Sequence, residues 1–186
     1  MQLPNGHYKI IVVNFDGWAI WNRIKEDPKL MKMFNNQLDG IVASEAKKNE
    51  NNQYFDEYAC HEQKYSNCRQ GFIGEVFVHE RKGWVWAKQK FPDNKDMTFH
   101  DLIDEFNQLC EVKTYTSSSD INKTIKSLQE RWENIIKNKK DIKTWVLIEL
   151  GYPGYIGKRL IVGNKNGVLN FIDKEIERLT NSDIPY

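Results

Sequence analysis

Cys60, His61, Cys68 and His79 are the side chains of this chain whose types best suit a soft metal ion. Zinc would need four such ligands in a tetrahedron, and Cys-x7-Cys is not a finger spacing. His79 would also have to fold back from a separate segment. These are therefore read as ordinary polar residues, and neither a metal nor another cofactor is expected. Cys60 beside His61 does not make a nucleophile and its base either, because adjacent side chains diverge. Cys110 falls on an apolar stripe and reads as core.

Acidic residues near lysines raise metal-dependent hydrolysis, in which carboxylates hold Mg²⁺ and a lysine orients the attacking water. Glu80-Arg81-Lys82 follows an apolar run, with Glu75 within it and Asp56 upstream. With 28% charged residues such strings recur by chance, so a nuclease or hydrolase built on Glu75, Glu80 and Asp56 ranks as the second alternative. The glycine-rich GYPGYIGK, which includes Tyr155-Ile156-Gly157, lacks the upstream tripeptide that would make it half of a nuclease motif. No GxxxxGK[ST], GxGxxG or GxSxG string occurs, so phosphate cradles and hydrolase elbows have no support.

Aromatic residues interleaved with basic ones are the remaining signal. Trp84, Trp86, Lys88 and Lys90 alternate along one segment, and Tyr152, Tyr155, Lys158 and Arg159 cluster around the glycine-rich connection. Such sets suit stacking on single-stranded bases or docking on an acidic protein. The competing expectation is that the tryptophans are core and the lysines snorkel at its rim.

The elements that must position these residues follow from periodicity. Tyr8–Phe15 reads as a buried strand. Two helices follow, or one broken at Pro28, with Asp27 as cap and Asp39-Gly40 as stop. Residues 45–70 are the most polar stretch and read as a long exposed loop. Phe72–Phe91 reads as a hairpin turning at Arg81-Lys82-Gly83. Thr98 opens a predicted helix carrying Phe99, Leu102, Ile103, Phe106, Leu109 and Cys110, and Asp120 caps another with Leu128, Trp132 and Ile135. Thr144–Leu150 reads as a buried strand, and Arg159–Val162 pairs with Val168–Ile172 across Gly163–Gly167. Asp173 then opens a short final helix.

The implied order is β-αα-loop-ββ-αα-βββ-α, an α+β fold with a mixed or mostly antiparallel sheet and helices packed on it. The 186 residues, 40% of them hydrophobic, suit one domain with a real core. Basic and acidic residues number 27 and 26, so any nucleic-acid contact needs a local patch. Three cysteines, no apolar run long enough for a membrane span and no leader point to a cytoplasmic protein. The expected function is a non-enzymatic binding module, in the style of phage or plasmid proteins that inhibit a host defence protein (anti-CRISPR or anti-restriction). Nucleic-acid binding through the basic-aromatic surface is the alternative.

Overall fold

The computed structural model describes residues 2–98, 101–152 and 155–182. In chain order these form β1 (Tyr8–Asp16), α1 (Gly17–Glu26), α2 (Pro28–Lys48), α3 (Glu57–Lys82), β2 (Val85–Trp86), α4 (Ala87–Lys90), β3 (Leu102–Ile103), β4 (Leu109–Ser117), α5 (Ile121–Lys137), β5 (Thr144–Gly151), β6 (Ile156–Gly163) and α6 (Lys165–Ser182). Four helices start at an aspartate. Asp16, Asp27, Asp56 and Asp120 each accept hydrogen bonds from two backbone N–H groups of the first turn, satisfying donors that have no intrahelical partner.

The six strands form one open mixed sheet in the order β1-β6-β5-β4-β3-β2. Only β4 and β5 run parallel, joined by the α5 crossover, and the other neighbours are antiparallel. β5 is apolar at nearly every position because it is covered twice. Val146, Ile148 and Leu150 meet α1, α2 and α3 in one core, while Trp145 and Leu147 meet α5 and α6 in the other. A strand buried on both faces reads as a continuous apolar run. The α+β architecture expected from the pattern is thus present, as a sheet between two helical layers. Among the described residues no helix is long and apolar enough to cross a membrane.

Several local expectations are corrected. Residues 45–70 are not a long loop: α2 runs on to Lys48 and α3 begins at Glu57. The buried stripe of α3 in that stretch consists of Cys60 and Cys68, too sparse to register as hydrophobic periodicity. Gly40, open to solvent on its Cβ side, does not stop α2. The Phe72–Phe91 hairpin is replaced by the second half of α3, which looks strand-like because Phe72, Ile73, Gly74, Glu75, Val76 and Val78 are all buried. Gly83, at φ 68°, caps this helix by donating its N–H to the carbonyl of His79, a left-handed terminus that glycine adopts without strain.

The helix predicted from Thr98 is instead the antiparallel pair β3–β4; Phe99 and His100 lie outside the described residues. Asp104 makes the connecting turn by accepting from the N–H groups of Phe106 and Gln108. The hairpin placed over 159–172 is β6 followed by α6, which starts at Lys165 rather than Asp173.

Candidate functional site

Among the described residues β3 pairs with β4 only through Leu102–Cys110 and Ile103–Leu109, and none of them pairs with that edge of β4 from Val112 onward. One step beyond the last pair, the register sets Asp101 opposite Glu111. Glu111 and Lys113 lie on the same face of β4 because strand side chains alternate. Lys113 Nζ stands 2.6 Å from Glu111 Oε1. Asp101 Oδ2 accepts from Lys140 Nζ at 2.7 Å and from the backbone N–H of Thr98 at 3.1 Å.

Glu75 enters from α3. Its neighbour Gly74 lets the helix settle onto the strands: a Cβ there would lie 2.7 Å from Thr114 Cγ2 and 3.0 Å from Ile148 Cδ1. That contact carries Glu75 to the same edge, where Gln37 Nε2 of α2 donates to its Oε1 at 3.4 Å. Asp101, Glu111 and Glu75 are 0%, 4% and 5% exposed.

Buried carboxyls this close cannot all ionise freely. Burial drives Glu75 well above the carboxylate range, Glu111 and Asp101 push it further, and Lys113 and Gln37 oppose them. Burial also raises Glu111, with Asp101 adding to the rise against the pull of Lys113. At Asp101 burial pushes upward too, but hydrogen bonds from Glu111, Lys140 and Thr98 outweigh it and the net shift is downward. As carboxylates, Asp101 Oδ1, Glu111 Oε2 and Glu75 Oε2 are buried acceptors without a donor. A proton held on Glu111 and donated to Asp101 joins two of them. Among the described residues no group of three acidic, imidazole or thiol side chains is placed to hold a metal ion, so Glu75 does not complete a set with Asp101 and Glu111.

A cleft of ≈ 710 Å³ opens beside these groups, bounded by α3, the same edge of β4 and α5. Glu75 and Lys113 line it together with Lys64 of α3 and Lys123 and Arg131 of α5. Arg131 Nε is buried there without an acceptor. The strand edge is partly satisfied from α5, whose Ser127 hydroxyl accepts from the Thr116 N–H at 3.0 Å. Lys64, Lys113, Lys123 and Arg131 can neutralise an anion in the cleft, against the carboxyls of Glu75 and Glu130 in the same lining; Asp101 and Glu111 lie behind Lys113 and do not line it.

The residues singled out from the sequence are dispersed. Trp84 and Trp86 are buried; Trp86 stacks on Phe72 and Trp84 Nε1 donates to Glu105 at 2.7 Å. Large aromatics at the end of a two-residue strand fill the core, so no tryptophan face is offered to a base. Lys88 and Lys90 fall on α4, where Lys88 donates to the carbonyl of Asn94. Tyr155 is buried with its hydroxyl on Ser66 and Arg69. Arg159 is committed to Glu149 and Glu175. Lys158 is exposed, 3.5 Å from the Ser117 hydroxyl. Only Tyr152 of this set lines the acidic cleft.

Of the three acids considered for hydrolysis, Asp56 is a helix cap and Glu80 forms a two-pronged pair with Arg23. Glu75 alone belongs to the site. Asp101, Glu111 and Lys113 were hidden by the helix expected over 98–110. The available signal was Glu111-Val112-Lys113 preceding a β-branched and aromatic run, Thr114-Tyr115-Thr116.

No protein-family model, curated protein or solved structure matches this chain.

Proposed function

We propose that the chain is a divalent-metal-dependent phosphodiesterase acting on nucleic acid, with Asp101 and Glu111 as the protein's metal ligands and Lys113 beside the attacking water. The observation that carries this is the pair of buried carboxyls Asp101 and Glu111 at the end of the β3–β4 ladder, each with a buried oxygen lacking a donor, beside Lys113, which lines a cleft that also carries Lys64, Lys123 and Arg131. Unsatisfied buried acceptors are costly, and an all-oxygen set matches hard cations such as Mg²⁺ and Mn²⁺.

The chemistry such a cation supplies is polarisation of the phosphoryl oxygen and a lowered pKa for bound water. This chain's residues do the rest. Lys113, held by Glu111, is placed to hydrogen-bond the attacking water or a phosphoryl oxygen. Lys64, Lys123 and Arg131 pair with flanking phosphates. One water is consumed: its oxygen ends on phosphorus as the phosphorus–oxygen bond to the leaving sugar breaks, and its protons go to the leaving oxygen and to solvent.

The test is incubation of end-labelled DNA and RNA, single- and double-stranded, with Mg²⁺ or Mn²⁺. Cleavage that chelator and Glu111→Gln both abolish is expected. No cleavage of any substrate, together with no metal binding by calorimetry, removes the proposal.

A second reading, the protein-docking module expected from sequence, draws on the edge strand β1. It pairs only with β6 and exposes Val12 and Ile10, at 80% and 44%. An unpaired apolar edge suits strand addition by a partner. Val12→Lys should then abolish any stoichiometric complex recovered from a host lysate after nuclease treatment, and retention of the complex would exclude this edge.

A further inference from the structure

We infer that the cleft takes a single nucleic-acid strand, with Tyr152 as the stacking platform at its rim; this rests on the phosphodiesterase reading and names its substrate class. α3 and α5 lie on opposite faces of the sheet, so the gap between them at this edge of β4 is about one sheet layer wide. Lys113 and the almost wholly buried Glu75 lie on its floor. A phosphate must therefore pass between the two helical walls to reach Lys113. A duplex carries its phosphates on the outside of a stiff body far wider than one layer, whereas a single strand can be threaded.

The walls match that occupant. Lys64 stands on the α3 side, with Lys123 and Arg131 on the α5 side, so a backbone in the gap meets cations on both flanks. Tyr152 is 66% exposed and borders the same cleft. Its backbone is tied to the end of β4. Its N–H donates to the Ser117 carbonyl at 2.9 Å, and three residues on Tyr155 anchors the connection. The Tyr155 carbonyl accepts from the Gly17 N–H, its hydroxyl meets Ser66 and Arg69, and the Arg69 guanidinium lies 4.6 Å from the Trp18 ring centroid and 5.3 Å from that of Tyr155. An aromatic face held beside a cationic groove is the arrangement that binds single strands with little sequence preference.

The test is fluorescence anisotropy with labelled oligonucleotides of about twelve nucleotides, as single-stranded DNA, single-stranded RNA and blunt duplex, in chelator so that no cleavage intervenes. At least one single strand should bind about tenfold or more tighter than duplex, and a preference between DNA and RNA would name the sugar. Tyr152→Ala should weaken strand binding by about tenfold while Tyr152→Phe retains it. Lys123→Ala with Arg131→Ala should flatten the salt dependence. Duplex binding as tight as either strand, or Tyr152→Ala binding like the native protein, overturns the inference. Strand binding without cleavage in Mg²⁺ or Mn²⁺ would keep this inference and remove the phosphodiesterase reading; cleavage with no preference for single strands does the reverse.

Discussion

Asp101 and Glu111 face each other one step past the end of the β3–β4 ladder, close enough that a single proton on Glu111 bonds the two carboxyls. Without that proton each keeps a buried oxygen with no donor. A cation held by these two carboxylates would displace that proton, so metal binding would be linked to proton release. Calorimetric titration with Mn²⁺ in buffers of different ionisation enthalpy should show net proton release on binding. Affinity should fall as pH drops through the raised range of Glu111, and a pH-independent affinity would remove the shared-proton account.

Glu75 yields a prediction of opposite sign for stability and for activity. Its folded pKa lies well above the ordinary 4.5, through burial first and the neighbouring acids second. The folded state therefore holds a proton that the unfolded state has lost. That contribution to stability is full below the unfolded value and disappears as pH rises from there through the folded value. Glu75→Gln removes the loss while keeping most of the shape. The variant should be more stable than the native chain by about 1 kcal/mol near pH 8, with the difference shrinking towards pH 5. Metal-dependent cleavage should fall, since Glu75 lines the cleft beside Lys113. Thermal melts at the two pH values and one cleavage assay decide it, and a variant less stable at pH 8 would contradict the account.

What could be seen in the sequence was set by how each element is buried. α1, α5 and β5 were legible because their apolar residues keep a regular period or an unbroken run, and Asp27 and Asp120 mark helix starts in plain view. β1 was legible as a strand but expected to be buried, whereas it is an edge strand in which only Val13 is buried. α3 was not, because it lies half on the surface and half deep in the core. Its first half shows too few apolar residues and its second too many for a helical stripe to emerge. Ile176 and Leu179 of α6 were placed correctly, while Val168–Ile172 suffered the ambiguity of any short apolar run. The candidate site was lost with these elements. Once 109–117 is a strand, Glu111 and Lys113 share a face. Once 72–82 is a helix, Gly74 explains how Glu75 reaches them. Long-range pairing across β3–β4 has no local signature.

Gly74 should tolerate substitution poorly. A methyl there meets the Thr114 methyl at 2.7 Å and Ile148 Cδ1 at 3.0 Å, so α3 must shift away from β4. Gly74→Ala is expected to cost about 1–3 kcal/mol, the range for overpacking a filled interior. Cleavage should fall further than stability does, because displacing the helix moves Glu75 from its place beside Lys113 in the cleft. Thr114→Ser removes the nearest clashing methyl, and the double variant should recover part of both losses. Denaturant unfolding of the four proteins gives the coupling directly; strict additivity would mean that the helix does not rest on Thr114.

Arg159, taken from sequence as a binding residue, is expected to act through stability alone. It links Glu149 on β5 with Glu175 on α6, and the Tyr115 hydroxyl lies 3.2 Å from its guanidinium. Burial opposes its charge, but Glu149, Tyr115 and Glu175 hold the proton more strongly. Arg159→Met would leave two carboxylates that are 7% exposed short of their main cation, Arg178 reaching only Glu175. Breaking such a pair by removing one partner costs about 3–5 kcal/mol; with Arg178 still in place the lower end applies. Adding Glu149→Gln should return part of that loss, since the stranded charge disappears with it. Strand affinity at a temperature where the variant is folded should be unchanged. A fall in affinity without a fall in melting temperature would instead put Arg159 in the binding surface.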